Sequence, residues 1–118
     1  MFLCEMLGMG ITMILRKIWE EKDASDIREK LLINPEEAET IALGYVSVKP
    51  GESTKTGFHE DEEEIYVILK GRAILTIGDE ECEVAGGDAA YVPRNHVHRM
   101  KCISEEKLEY LYFANWPK

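Results

Sequence analysis

The chain has only three cysteines, Cys4, Cys82 and Cys102, widely spaced and without a CxxC pair. That spacing excludes a disulfide framework and a zinc knuckle, and cysteine usage of this kind fits a reducing, cytoplasmic setting. Basic charge is also scarce: 14 Lys and Arg stand against 23 Asp and Glu, for a formal net charge of -9. Such a balance opposes binding to nucleic acid or to an anionic membrane surface. Arg94 and Arg99, which flank two histidines, are left as a candidate local subsite for a small acidic ligand. The apolar opening MFLCEMLGMGITMIL contains Glu5 and is too short to span a bilayer, and it lacks the basic leading segment of a signal peptide. No internal repeat and no low-complexity linker interrupts the 118 residues, so one domain is expected. A chain of this length buries about two thirds of its unfolded surface, enough for one core.

What is present is strand pattern. IALGYVSV, EEIYVILK, RAILTIG, ECEV, AAYV, HVHRMKCI and EYLYFANW are short, rich in β-branched or aromatic residues, and separated by turn signals such as VKPGES, LKGR, IGDEE and VPRN. ITMILRKIW reads as a further strand at the start of the patterned region. SDIREKLL fits either a short helix capped by Ser25 or a strand, and the strand is preferred because Ile27, Glu29, Leu31 and Ile33 alternate. Many short strands in a chain this small predict an all-β sandwich or barrel. Residues 1–12 are read as a flexible extension or an edge strand, and 13–118 as the domain.

Two segments carry chemistry. In HEDEEEIY, His59 precedes five acids, and strand alternation puts Glu64, Tyr66 and Ile68 on one face with Ile65, Val67 and Leu69 on the other. A carboxylate on an interior face requires a cation or hydrogen-bond donors, because burying its charge unpaired costs several kcal/mol. Glu60, Glu62 and Glu63 are expected to be solvated in the preceding turn. In GGDAAYVPRNHVHRMKC, Pro93 and Asn95 mark a bend, and His96, His98, Met100 and Cys102 follow at spacing two. Two imidazoles and one carboxylate form a facial ligand set suited to first-row metals, with positions left open for oxygen or substrate.

Taken together, these segments resemble the two motifs of the cupin superfamily. The first, G(X)5HXH(X)3,4E(X)6G, is matched by Gly51, His59, Glu64 and Gly71; the second, G(X)5PXG(X)2H(X)3N, by Gly87, Pro93 and His98. The chain departs from the pattern at Gly57 in place of the first motif histidine, at Asn95 in place of a glycine, and at Cys102 in place of an asparagine. The resemblance implies a single-domain antiparallel β-barrel or jelly roll. It also implies a divalent transition metal, iron, manganese, nickel or zinc, held by His59, Glu64 and His98. Three readings of the site stand: those three ligands alone, a fourth recruited at His96, or a vestigial site kept for its fold.

Cys102 is read as a small core residue in preference to a soft ligand or redox thiol. Tyr110, Tyr112 and Trp116 alternate and are candidates for a pocket wall, with Leu111 and Phe113 on the opposite face; one of these faces is expected to fill the core and the other to be available to a second subunit. Cupin resemblance leaves the activity open. The leading expectation is an enzyme acting on a small polar metabolite through metal coordination, a dioxygenase or an isomerase, with His96 or Tyr66 transferring protons. The alternative is a non-catalytic binding module for a sugar or small acid. A homodimer is expected from the apolar N-terminal run and the two-faced aromatic strand.

Overall fold

The structure is a computed structural model that describes residues 13–19 and 29–116. Among the described residues, eight antiparallel strands follow in chain order: β1 (Glu29–Ile33), β2 (Ile41–Val48), β3 (Glu63–Lys70), β4 (Arg72–Ile77), β5 (Glu80–Ala85), β6 (Ala89–Val92), β7 (His98–Cys102) and β8 (Leu108–Asn115). They form a five-stranded sheet, β1-β2-β8-β3-β6, and a three-stranded sheet, β5-β4-β7. The two layers make a jelly-roll arrangement, not a closed barrel, and the described residues contain no helix.

Side-chain alternation assigns each strand an inner and an outer face. Along β3 the inner residues Glu64, Tyr66 and Ile68 are buried, and along β7 the inner residues His98, Met100 and Cys102 are buried while Arg99 and Lys101 are exposed. The core lies between the sheets, where Ile68, Met100, Leu108, Val48, Val92 and Cys102 are almost wholly buried. Cys102 is thus a core residue, as expected.

Tight turns hold the sheets in register. The β4–β5 hairpin pairs Ile77 with Glu80 across Gly78-Asp79, and Gly78 takes a φ of +58° at the first central position, where a side chain would be strained. Residues 51–57 form an irregular outer strand beside β7, through the bridges Ser53 to Lys101 and Gly57 to His98. Asn95, with φ 66°, turns the chain before β7, and its N–H donates to the carbonyl of His59 at 2.7 Å. Asparagine tolerates this left-handed conformation better than most residues. The bond ties the bend of the second motif to the histidine of the first.

The expectation of a strand over ITMILRKIW is corrected: residues 13–19 are described and carry no ladder, and residues 11 and 12 lie outside the described residues. Side chains anchor this segment instead. Arg16 donates to the carbonyl of Leu32 at 2.7 Å and pairs with both carboxylate oxygens of Glu37, while the Trp19 indole donates to Glu109 at 2.7 Å and packs edge-on against Tyr45. The guanidinium therefore takes up a backbone carbonyl of edge strand β1 that a neighbouring strand would otherwise use. The strand reading of SDIREKLL holds for its described end, which begins β1 at Glu29, and residues 1–12 lie outside the described residues.

Ile68 is 1% exposed at the centre of the core. Ile68→Ala is expected to lower unfolding free energy by about 2–5 kcal/mol through lost burial and a residual cavity, measured as a shift in urea midpoint. Lys101→Ala on the outer face of β7 is expected to change it by no more than about 0.5 kcal/mol.

Candidate metal centre

Three elements bring the site together. His59 comes from the loop before β3, Glu64 is the second residue of β3, and His98 opens β7. One potential ligand atom from each lies within 4.8 Å of the other two. The His59 and His98 rings are tilted at 32° with centroids 5.2 Å apart, and His98 Nε2 stands 3.7 Å from Glu64 Oε1. Glu64 is 7% and His98 9% exposed, and His59 is half-buried.

Tyr66, one inward position along β3 from Glu64, locks this cluster. Its hydroxyl is 3.1 Å from His98 Nδ1 and 3.3 Å from Glu64 Oε1. A phenol has one proton, so with Glu64 ionised the arrangement that satisfies both contacts has His98 Nδ1–H donating to Tyr66, and Tyr66 O–H donating to Glu64. Nε2 is then left as a lone pair. Among the described residues, His98 Nε2 is a buried side-chain atom with no hydrogen-bond partner, since 3.7 Å to Glu64 is too long for one. Leaving such an atom unpaired costs about 1–3 kcal/mol. An electron pair buried without a donor, converging with a carboxylate and a second imidazole, fits a bound cation.

The electrostatics agree with that fit. Burial, reinforced by the neighbouring Glu62 charge, pushes the Glu64 carboxyl up to about 7. Burial also lowers the pKa of His98, with a smaller contribution from His59, which favours the neutral imidazole that a metal requires. The Tyr66 hydroxyl is raised, chiefly by burial and then by the Glu64 charge, and so stays protonated.

The cluster lies in a cavity of about 380 Å³ whose walls include Glu29, Lys55, Glu62, Tyr110 and Tyr112. Tyr112 donates to Glu29 at 2.6 Å across the large sheet. Tyr110 and Tyr112 thus line the cavity as expected, while Trp116 does not. Glu62 departs from the expectation of a solvated acid: its carboxylate turns inward, 3.8 Å from His59 Nε2. Alternation could not locate it, because it precedes the strand. Glu29 carried no sequence signal beyond its place in an alternating run.

His96 is placed differently from the sequence reading. It is exposed, its Nδ1 lies 2.8 Å from the Arg94 carbonyl, and it is not among the residues lining the cavity. The i, i+2 relation to His98 fails because β7 begins only at His98, after the left-handed turn at Asn95. Arg94 pairs with Glu63 at 3.6 Å, and neither it nor Arg99 lines the cavity, so no anion subsite forms there from this pair. Tyr91 faces outward and donates to Glu63 at 2.7 Å.

The raised Glu64 pKa has a measurable consequence in metal-free protein. The folded chain keeps a proton that the unfolded chain releases, so the associated stability is fully present below the ordinary value of 4.5 and is lost as pH rises to about 7. Glu64→Gln, neutral throughout, is expected to remove that component: its urea midpoint should fall less than that of wild type between about pH 5 and about pH 8.

Comparison with known proteins agrees with the fold and the motif spacing. The Cupin domain family matches residues 44–113. An uncharacterized protein of Methanocaldococcus jannaschii, MJ1618, is 37% identical over 90 residues, spanning 76% of this chain and 72% of that protein. Among solved structures, TT1209 from Thermus thermophilus superposes with a TM-score of 0.74 at 20% identity, covering 88% of this chain and 98% of that one. A predicted oxalate decarboxylase from Thermotoga maritima superposes with a TM-score of 0.70 at 22% identity, covering 75% and 79%. With its family match running from within β2 into β8 and its two sheets enclosing the His59, Glu64 and His98 cluster, the chain belongs to the cupin family.

Proposed function

We propose that this chain is a small metal-dependent enzyme in which His59, Glu64 and His98 hold a divalent transition metal, iron, manganese, nickel or zinc, and that a polar metabolite binds in the adjoining cavity. The observation that carries the reading is the buried, unpaired His98 Nε2 at the centre of the cluster. When bound, such a metal supplies Lewis-acid polarisation of ligand oxygens or activation of dioxygen, which suits oxidation or isomerisation. The chain's own residues prepare the site. Tyr66 orients the His98 ring through Nδ1 and directs the other nitrogen inward. Its protonated hydroxyl, at the cavity wall, is the proton-handling group of the proposal. His96, outside the cavity, has no part in it. Tyr110 and Tyr112 narrow the cavity on the β8 side, and Lys55 places a cation among its acidic walls.

Metal content of tag-free protein after exhaustive dialysis tests this reading. Wild type and His96→Ala are expected to keep about one metal per chain, whereas His59→Ala and His98→Ala fall to background. Tyr66→Phe is expected to retain a site with affinity lower by about tenfold to a hundredfold. Equal loss from His96→Ala and His98→Ala would overturn the three-residue assignment. Tight binding of a sugar or small acid without turnover would favour a binding module instead.

We also propose that two copies associate through the outer face of the large sheet. There Ile65 stands in register between Phe113 and Tyr91, and these three and Ile41 are between 41% and 55% exposed. Met13, Ile14 and Leu15 add exposed apolar surface in the N-terminal segment. A continuous apolar strip on an exposed sheet face suits a self-complementary contact in a twofold dimer. Sedimentation equilibrium at tens of micromolar is expected to return twice the chain mass for wild type and the chain mass for Ile65→Asp. A monomeric wild type would refute the dimer.

A further inference from the structure

We infer that Gly57 is a positioning residue of the site: it holds His98 in place by having no side chain. The positioning role does not depend on the metal reading above; the cobalt measurement that follows does.

Gly57 and His98 face each other across an antiparallel bridge and exchange both backbone hydrogen bonds, Gly57 N–H to the His98 carbonyl at 2.9 Å and His98 N–H to the Gly57 carbonyl at 3.0 Å. The His98 imidazole folds over the Gly57 backbone. A Cβ built on Gly57 would stand 2.6 Å from His98 Cε1, 3.0 Å from Nε2 and 3.3 Å from Nδ1. Real Cβ atoms do not approach that closely, so the ring and any side chain at this position compete for one volume.

The ring has little room to yield. Its Nδ1 is tied to the Tyr66 hydroxyl at 3.1 Å, the His59 ring lies beside it with centroids 5.2 Å apart, and its backbone is fixed in β7. Retreat from a new Cβ therefore breaks the Tyr66 contact or crowds His59. Conformational freedom is not the reason for glycine here: the positive-φ glycines are Gly51, Gly71, Gly78 and Gly87, and Gly57 is not among them. The requirement is for space alone, so alanine tests it without backbone strain.

The departure from the first motif then has a physical meaning. Gly57 stands where the motif has a histidine, and in this chain the volume beside its backbone is taken by the His98 ring.

Two measurements on the full chain test the inference. In metal-free protein, long-range proton–nitrogen spectra of the histidine rings are expected to show the His98 signals of Gly57→Ala moved from their wild-type positions, with far-UV circular dichroism retained. In Co²⁺ titrations, Gly57→Ala is expected to bind at least about tenfold more weakly than wild type. Unmoved His98 signals in Gly57→Ala, or Co²⁺ binding by Gly57→Ala as tight as that of wild type, would overturn it. If Gly57→Ala does not fold, the pair Gly57→Ala with His98→Ala is expected to recover the unfolding midpoint of His98→Ala, because removing the ring vacates the contested volume. Failure of that recovery would also overturn it. Moved His98 signals in a protein whose wild type binds no Co²⁺ would refute the metal reading and support the positioning role.

Discussion

The buried face of His98 sets the terms for the whole interior. One imidazole nitrogen is held by Tyr66 and the other has no hydrogen-bond partner, although both lie between two packed sheets. A fold whose net stability is about 5–15 kcal/mol does not carry an unmet polar atom without consequence. The surrounding elements are arranged around it: the Asn95 turn ends where β7 can begin with His98, the bond from Asn95 fixes the backbone of His59, and β3 presents Glu64 and Tyr66 on the same inward face. The remainder of that face continues into Ile68 and an ordinary apolar core.

Charge is managed locally within an acidic protein. Glu64 and His98 are both pushed toward their neutral forms by burial, so the metal-free interior avoids isolated charge. The cost of doing so falls on the carboxyl group, which holds its proton to about pH 7. A divalent cation among these groups reverses that balance, because it favours the carboxylate and uses the imidazole lone pair. Glu29 and Glu62 also line the cavity and add acidic groups beside the same centre.

The large sheet divides its two faces between different tasks. Its inner face supplies Glu64, Tyr66, Tyr110 and Tyr112 to the cavity, while its outer face carries Ile65, Tyr91 and Phe113 at the surface. Toward the β1 side, the Trp19 segment covers Tyr45 and Glu109 on that outer face. Gly57 shows the same economy at the level of one atom, since the Cβ it lacks is the space the His98 ring occupies.

Period-two patterning was sufficient to read the eight described strands, β1 among them at the end of SDIREKLL, and the inward orientation of Glu64, Tyr66, His98 and Cys102, because alternation is a property of extended backbone whatever lies around it. Motif spacing likewise identified His59, Glu64 and His98 as one cluster. Alternation fails where the ladder stops. His96 shares the parity of His98 but precedes β7 and turns outward, whereas Glu62 shares the parity of Glu64, precedes β3 and turns inward, so parity is no guide outside a strand. The segment of Arg16 and Trp19 has the composition of a strand, but side-chain bonds to Leu32, Glu37 and Glu109 anchor it without a ladder. Local sequence thus determined the strands, their faces and the three residues that meet. Only the tertiary structure decided what lies beside them, Glu29 across the sheet and the Gly57 backbone beneath the His98 ring, because those contacts depend on the register of strands distant in the chain.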